Sequence, residues 1–121
     1  MQPHMAVVAS LFVTLSSASA DAGNCIPRPE RFNLASDTVY WSVLLPAGGN
    51  CIQGLRYASM QIEHVFIVSA PKNGSVVLQG PSFRYQANPQ FRGSDSFSLS
   101  VNGTAGQVPG SSIINIDVTV R

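Results

Sequence analysis

Two cysteines and one histidine are the residues of this sequence best suited to covalent or acid–base chemistry. Cys25 and Cys51 are the only cysteines, and they are not spaced as C-x-x-C, so neither a zinc knuckle nor a redox pair fits. A catalytic thiol would need a histidine beside it, and the only histidine after His4 is His64. Two cysteines in an exported chain usually form a disulfide bond. We therefore predict a Cys25–Cys51 bond, with a free catalytic cysteine as the alternative.

Glu63 and His64 stand next to each other and suggest acid–base chemistry. Neighbouring residues on a strand point to opposite faces, so these two side chains should not share a site. A serine hydrolase would have to use His64, and no serine of this chain lies in a G-x-S-x-G motif. We therefore predict no catalytic residues, and we interpret His64 as a surface residue of a strand.

The acidic residues are isolated along the chain, which argues against a metal site. A calcium ion takes roughly 6–8 oxygen ligands, usually with several carboxylates among them. Asp95, in the segment Gly-Ser-Asp-Ser, is a candidate metal ligand, but we favour a turn in which its carboxylate accepts backbone N–H groups. We predict no metal and no cofactor. The acidic residues are Asp21, Glu30, Asp37, Glu63, Asp95 and Asp117.

The aromatic residues offer a further kind of chemistry, because a flat ring can stack on a sugar. Trp41 is the only tryptophan, and it alternates with Val39 and Val43 in a strand-like pattern. This pattern predicts a core position for Trp41. The alternative is a sugar-stacking role, with Tyr40 or Tyr57 nearby.

The chain has 121 residues, a formal net charge of +1 and 11% charged residues, against roughly 25% in a typical soluble domain. A near-neutral chain has no electrostatic footprint for nucleic acid or for an anionic membrane, so we exclude both as partners. One domain is expected at this length. The solvent-facing positions should carry Ser, Asn, Thr, Gln and Gly, which predicts an uncharged working surface.

Residues 1–20 have the features of a secretory signal peptide. The apolar segment Ala6–Leu15 is followed by small polar residues and by an A-x-A cleavage motif that ends at Ala20. The segment is shorter than the roughly 20 apolar residues that cross a bilayer, and no Lys or Arg precedes it. We predict one exported domain, residues 21–121, that is periplasmic or extracellular and does not insert into a membrane. An N-terminal helix of the mature protein is the alternative.

Alternation of apolar and polar residues dominates the mature chain and predicts β-strands. In Ile114–Val120 the apolar residues alternate with Asn, Asp and Thr, whereas the continuous apolar run Ile62–Val68 predicts a central strand. Turn signals recur roughly every 8–12 residues, as in a sandwich or barrel. They include Asn73-Gly74, Gly80-Pro81, Asn102-Gly103 and Pro109-Gly110. We predict an all-β, immunoglobulin-like antiparallel β-sandwich of about seven strands.

The segment Pro71–Val101 resembles the cadherin-like and immunoglobulin-like repeats of bacterial surface adhesins. The shared pattern is Pro-x-x-Gly, a short strand, Gly, Tyr, then Phe-x-Gly-x-Asp-x-Phe and a closing strand, here Ile114–Val120. The part before it, Cys25–Val68, matches less well and carries the two cysteines, which adhesin repeats generally lack. The matching residues are Pro71, Gly74, Gly80, Tyr85, Phe91, Gly93, Asp95, Phe97 and Val101.

This resemblance implies a β-sandwich in which the motif residues are structural. Such repeats usually occur in tandem as stalks or binding modules, and many bind calcium. Here the motif occurs once and the acidic residues are scattered, so we expect neither a stalk nor a strong calcium site. We predict an exported, non-enzymatic bacterial domain for binding, adhesion or envelope interaction, with a protein or glycan partner and a binding surface that the sequence does not locate. The alternatives are a small carbohydrate-binding module that uses exposed aromatics such as Tyr40 or Tyr57, and a small extracellular hydrolase.

Overall fold

The computed structural model describes residues 25–121, and the predicted signal peptide, residues 1–20, lies outside the described residues. Strands joined by turns and loops make up the described part of the chain. Among residues 25–121 there is no helix that could cross a membrane. The strands are β1 (Ile26–Arg28), β2 (Asp37–Leu45), β3 (Asn50–Gly54), β4 (Gln61–Ser69), β5 (Gly74–Leu78), β6 (Ser82–Ala87), β7 (Gly93–Ala105) and β8 (Val108–Val120).

The strands form two sheets that pack face to face, which confirms the predicted all-β sandwich. The larger sheet has five strands in the order β1-β2-β8-β7-β4, and the smaller sheet has three in the order β3-β6-β5. The strand β1, with three residues, and β3, with five, are too short for alternation to reveal them. All pairs are antiparallel except β2 with β8, which run parallel. This pair departs from the antiparallel pairing that we predicted.

Alternating side chains of the central strands fill the space between the sheets. Phe97 and Leu99 of β7 lie opposite Ile116 and Ile114 of β8, and all four are buried. From the smaller sheet, Phe83 meets Phe97 edge to face, with ring centroids 5.3 Å apart. Burying a side chain of this size contributes about 1.5–3 kcal/mol, so this layer carries much of the stability.

A disulfide bond joins Cys25 and Cys51, as predicted from the sequence, with Cα atoms 5.3 Å apart. Cys25 precedes β1, the first edge strand of the larger sheet, and Cys51 lies on β3, an edge strand of the smaller sheet. The sulfur of Cys51 lies within the buried core. The bond therefore ties the two sheets together along one side of the sandwich.

Two of the predicted turns are wrong, because Asn102-Gly103 and Pro109-Gly110 lie inside β7 and β8. Gly103 and Gly110 face each other across the ladder between these strands. The hairpin turns further on, at Gly106 and Gln107, whose φ angles are 57° and 68°. Both glycines therefore serve a purpose other than turning the chain.

Close approach of two backbones explains these glycines. A Cβ atom on Gly103 would overlap the backbone of Gln61, and one on Gly110 would overlap the carbonyl of Leu34. We expect Gly103→Ala to lower the free energy of unfolding by about 2–3 kcal/mol, measured by urea denaturation, because overpacking here pushes β4 off β7. The matched control is Gly54→Ala, since a Cβ there meets no atom within 4 Å. Equal effects of the two substitutions would contradict this explanation.

The prediction that Ile62–Val68 forms a central strand is also wrong. These residues form most of β4, which hydrogen-bonds to β7 alone and is the last strand of the larger sheet. A continuous apolar run indicates a strand that is covered on both faces, and the sequence does not say what covers it. In the described chain, neither face of β4 is fully covered.

Candidate functional site

The buried carboxylate of Asp95 lies at the centre of the Pro71–Val101 motif. Asp95 lies near the start of β7, is 8% exposed and reaches across to the smaller sheet. Its two oxygens accept hydrogen bonds from the backbone N–H groups of Lys72 and Asn73, both at 3.0 Å, and from the Tyr85 hydroxyl at 2.8 Å. The N–H of Ser96 is a further donor. The carboxylate thus holds the turn before β5 against β7.

The surroundings of Asp95 also set its ionisation. Burial by itself would raise the pKa of the Asp95 carboxyl, but the backbone N–H groups and the Tyr85 hydroxyl outweigh burial, so this pKa lies below its usual range. Burial and the neighbouring carboxylate raise the pKa of the Tyr85 hydroxyl. Asp95 is therefore ionised, with Tyr85 as a donor to it, at any physiological pH.

Other motif residues shape the same cluster. A Cβ atom on Gly74 would lie 2.6 Å from the Tyr85 hydroxyl, so glycine leaves room for that group. The Tyr85 ring stacks on Phe97 with centroids 5.8 Å apart. Phe91 is half-buried and would contact a Cβ on Gly93. This part of the motif builds structure across the two sheets, and the donors around Asp95 occupy the oxygens that a cation would need.

Pro71 and Gly80 occupy turns at opposite ends of β5. Pro71 lies in the segment that leads into β5, next to the N–H groups bound by Asp95. Gly80 has a φ angle of 58° and follows β5, in a left-handed conformation that glycine adopts without strain. Within residues 25–121, no group of three or more His, Cys, Asp and Glu side chains lies close enough together to hold a metal ion.

His64 and Glu63 lie on β4 and are both exposed. The register against β7 shifts between Ile62 and His64, which leaves Glu63 in a bulge. The His64 ring stacks on Phe66, with centroids 6.0 Å apart and planes inclined by 24°. His64 therefore contacts an apolar ring on the surface of the strand.

The structure places Trp41 and Tyr57 together and Tyr40 apart from them. Trp41 is 4% exposed, and its indole N–H donates to the Glu30 carbonyl at 2.8 Å. Trp41 and Tyr57 line one cleft of about 310 Å³ at an end of the sandwich, where the Arg31 guanidinium lies 5.2 Å from the centre of the Tyr57 ring. Tyr40 projects from the opposite face of β2 into solvent.

The four edge strands of the two sheets differ in how accessible their unpaired backbone groups are to a further strand. An unpaired edge presents free N–H and C=O groups, and proteins usually protect it with short strands, proline, charged side chains or β-bulges. The edge strand β1 has three residues including Pro27, and the edge strands β3 and β5 have five residues each. The fourth edge, β4, has nine residues and contains no Pro, Lys or Arg. Among the described edges it is the longest, and its two register shifts bound a regular stretch from His64 to Ile67.

Apolar side chains of β4 are exposed on both faces of the sheet. Phe66 lies opposite Ser100 on the outer face and is 52% exposed. Ile67 lies opposite the buried Leu99, on the face toward the smaller sheet, yet it is exposed too. Val68, at a second register shift, is 58% exposed. The smaller sheet therefore does not extend over β4, and its apolar surface faces solvent.

The outer face of the larger sheet beside β4 carries hydroxyl and amide groups instead of charges. Ser98, Ser100 and Asn102 of β7 point outward, since they alternate with buried residues. The hydroxyls of Ser98 and Ser69 are hydrogen-bonded at 2.8 Å, which links β7 to the end of β4. The outward side chains of β7 here are uncharged, and the apolar side chains of β4 border them. The sequence does not single out Phe66, Ile67 and Val68 as candidate site residues, because the same apolar run is typical of a buried strand.

No protein-family model matches this chain, and a search of curated proteins finds no match.

Proposed function

We propose that this chain is an exported, non-enzymatic binding domain with an immunoglobulin-like sandwich, and that it contacts a polypeptide through the edge of β4. The observation that carries the proposal is the long, apolar edge of β4: it has nine residues, it exposes apolar side chains on both faces, and it contains no Pro, Lys or Arg. Exposed contiguous apolar surface on a small domain is typical of an interaction site. A strand edge adds its own backbone hydrogen bonds to any extended partner.

The strand order supports the immunoglobulin-like type. If β3 to β8 are lettered B to G, the smaller sheet reads B-E-D and the larger sheet contains C-F-G, the division of an immunoglobulin sandwich. The first strands, β1 and β2, pair beside G. The disulfide bond supports export, because such bonds persist in oxidising compartments. The adhesin-like motif, whose Asp95 and Tyr85 hold the two sheets together, supports a role among binding and adhesion modules.

Site-specific photo-crosslinking in the producing cell tests the proposal. A photoreactive phenylalanine analogue replaces Phe66 in one variant and Val77 in a matched control, since Val77 is 49% exposed on the other sheet. We expect position 66 to form an adduct with a polypeptide and position 77 to form none, with the partner identified by mass spectrometry. An adduct at position 77 alone, or none at position 66, would overturn the proposal.

The non-enzymatic part of the proposal has a separate test. The purified protein should show no hydrolysis of a panel of ester, peptide and glycoside substrates. Any reproducible hydrolysis would contradict the proposal, and loss of that activity in His64→Ala would assign it to a mechanism with a histidine base.

Glycan binding is the second candidate function, favoured by the cleft that brings Trp41 and Tyr57 together. The cleft has an apolar wall and a few polar groups, as small-ligand sites usually have. Trp41 is the only tryptophan, so its fluorescence reports directly on this cleft. A sugar-induced change that Tyr57→Ala removes and Tyr40→Ala does not would establish this function. No change with any glycan would exclude it.

A further inference from the structure

We infer that the polypeptide that pairs with β4 is a second copy of this chain, antiparallel to the first across a two-fold axis. This inference rests on the proposed function, because it names the partner of the same edge. It joins two five-stranded sheets into one continuous sheet. The smaller sheets and the Trp41 cleft stay outside the contact.

The backbone of β4 calls for a strand as its partner. A strand of nine residues presents an edge of about 30 Å, along which free N–H and C=O groups alternate. Another strand can pair with the groups of the regular stretch from His64 to Ile67 in one ladder, whereas a compact surface or a small ligand satisfies only a few. The apolar side chains on both faces would then be covered from both sides of the new pair, which is the environment that a continuous apolar run usually has.

The sequence of β4 is complementary to itself in the antiparallel direction. The regular pairing to β7 runs from His64 to Ile67 between two register shifts. An antiparallel pair centred on Val65 places His64 of each copy opposite Phe66 of the other, which extends the ring contact already present within one copy. In this register Glu63, the one carboxylate of β4, lies opposite Ile67 of the other copy and does not face its own copy. No like charges therefore meet across the axis at neutral pH.

Charge and area set the expected strength of this contact. The net charge of +1 opposes self-association only weakly. Covering the whole nine-residue edge, a strip about 30 Å long and about 10–15 Å wide, would bury at most on the order of 400 Å² per copy, against roughly 800 Å² per partner in a standard stable interface. We therefore expect a weak, reversible dimer with a dissociation constant between about 10 µM and about 1 mM.

Sedimentation equilibrium of the exported, oxidised protein tests this inference. We expect a monomer–dimer equilibrium between about 10 µM and about 1 mM, the range that an interface of this size predicts. Phe66→Glu should raise the dissociation constant at least about tenfold, since it places a charge in an apolar strand pair. Val68→Glu provides a second variant on the same edge. Val77→Glu is the matched control: it makes the same change in charge, lies opposite Arg84 in the other sheet and should leave the constant unchanged.

Each outcome decides between self-pairing and another partner. A protein that stays monomeric at about 1 mM, the upper end expected for such an interface, would overturn the inference. So would a dimer that neither Phe66→Glu nor Val68→Glu weakens, provided that both variants retain the wild-type circular dichroism spectrum. If the protein is monomeric while the position 66 crosslink yields an adduct with a different polypeptide, the β4 edge is functional and only the second copy is wrong. An adduct of twice the chain mass supports both.

Discussion

Replacing Asp95 by alanine is expected to lower the free energy of unfolding by about 3–5 kcal/mol, a large part of the roughly 5–15 kcal/mol of a typical domain. The substitution leaves the buried hydroxyl of Tyr85 without its acceptor, and it also removes the acceptor of the partly buried backbone N–H groups of Lys72 and Asn73. Each buried donor that loses its acceptor costs about 1–3 kcal/mol. Urea denaturation at pH 7 measures the effect. The matched control, Asp117→Asn, changes an exposed carboxylate and should have an effect within about 0.5 kcal/mol.

The pH dependence of Asp95→Asn provides an independent check. The pKa of the Asp95 carboxyl is lowered in the folded protein, so its contribution to stability is complete above the ordinary Asp pKa of about 3.9. That contribution is lost as the pH falls through the lowered folded pKa. The stability difference between wild type and Asp95→Asn should therefore be constant from pH 5 to 7 and should shrink below about pH 4. A difference that does not depend on pH would show that the carboxylate charge is not what holds the turn before β5.

Reduction of the disulfide bond is expected to have an effect of similar size, about 3–4 kcal/mol by loop-closure entropy. The Cys25–Cys51 bond spans 26 positions of the sequence and ties an edge of one sheet to an edge of the other. The measurement is the urea midpoint with and without reductant. The double variant Cys25→Ala, Cys51→Ala should match the reduced wild type to within about 1 kcal/mol and should not respond to reductant. An unchanged midpoint on reduction would contradict a stabilising role for the bond.

A strand of this fold can be predicted from the sequence when it is long and buried on one face only. The strands β7 and β8 are long and covered on one face, so the alternation of Phe97 and Leu99 with serine reveals them directly. The strand β3 is too short to leave a period. Gly103 and Gly110 have the appearance of turn residues, but they serve backbone approaches that only the tertiary structure creates.

The candidate site was predicted less well than the fold, and the reason is physical. The apolar run that contains Phe66 and Ile67 predicts a strand that is buried on both faces. Such a strand can lie in the centre of a sheet, or at an edge that a partner covers. The low charge of the chain predicted an uncharged surface without placing it. Pairing with β7 alone shows that β4 is an edge strand, because it leaves one side of β4 open.

The most direct test that β4 is the interaction surface is to measure, residue by residue, which amide groups respond to protein concentration. Two-dimensional amide NMR spectra of the oxidised protein are recorded from about 10 µM to about 1 mM, the range expected for an interface of this size. We predict that the shifts that change with concentration belong to β4, Gln61–Ser69, and that Phe66→Glu abolishes them. Changes confined to the Trp41 cleft or to β5, with β4 unaffected, would contradict the assignment of β4 as the interaction surface.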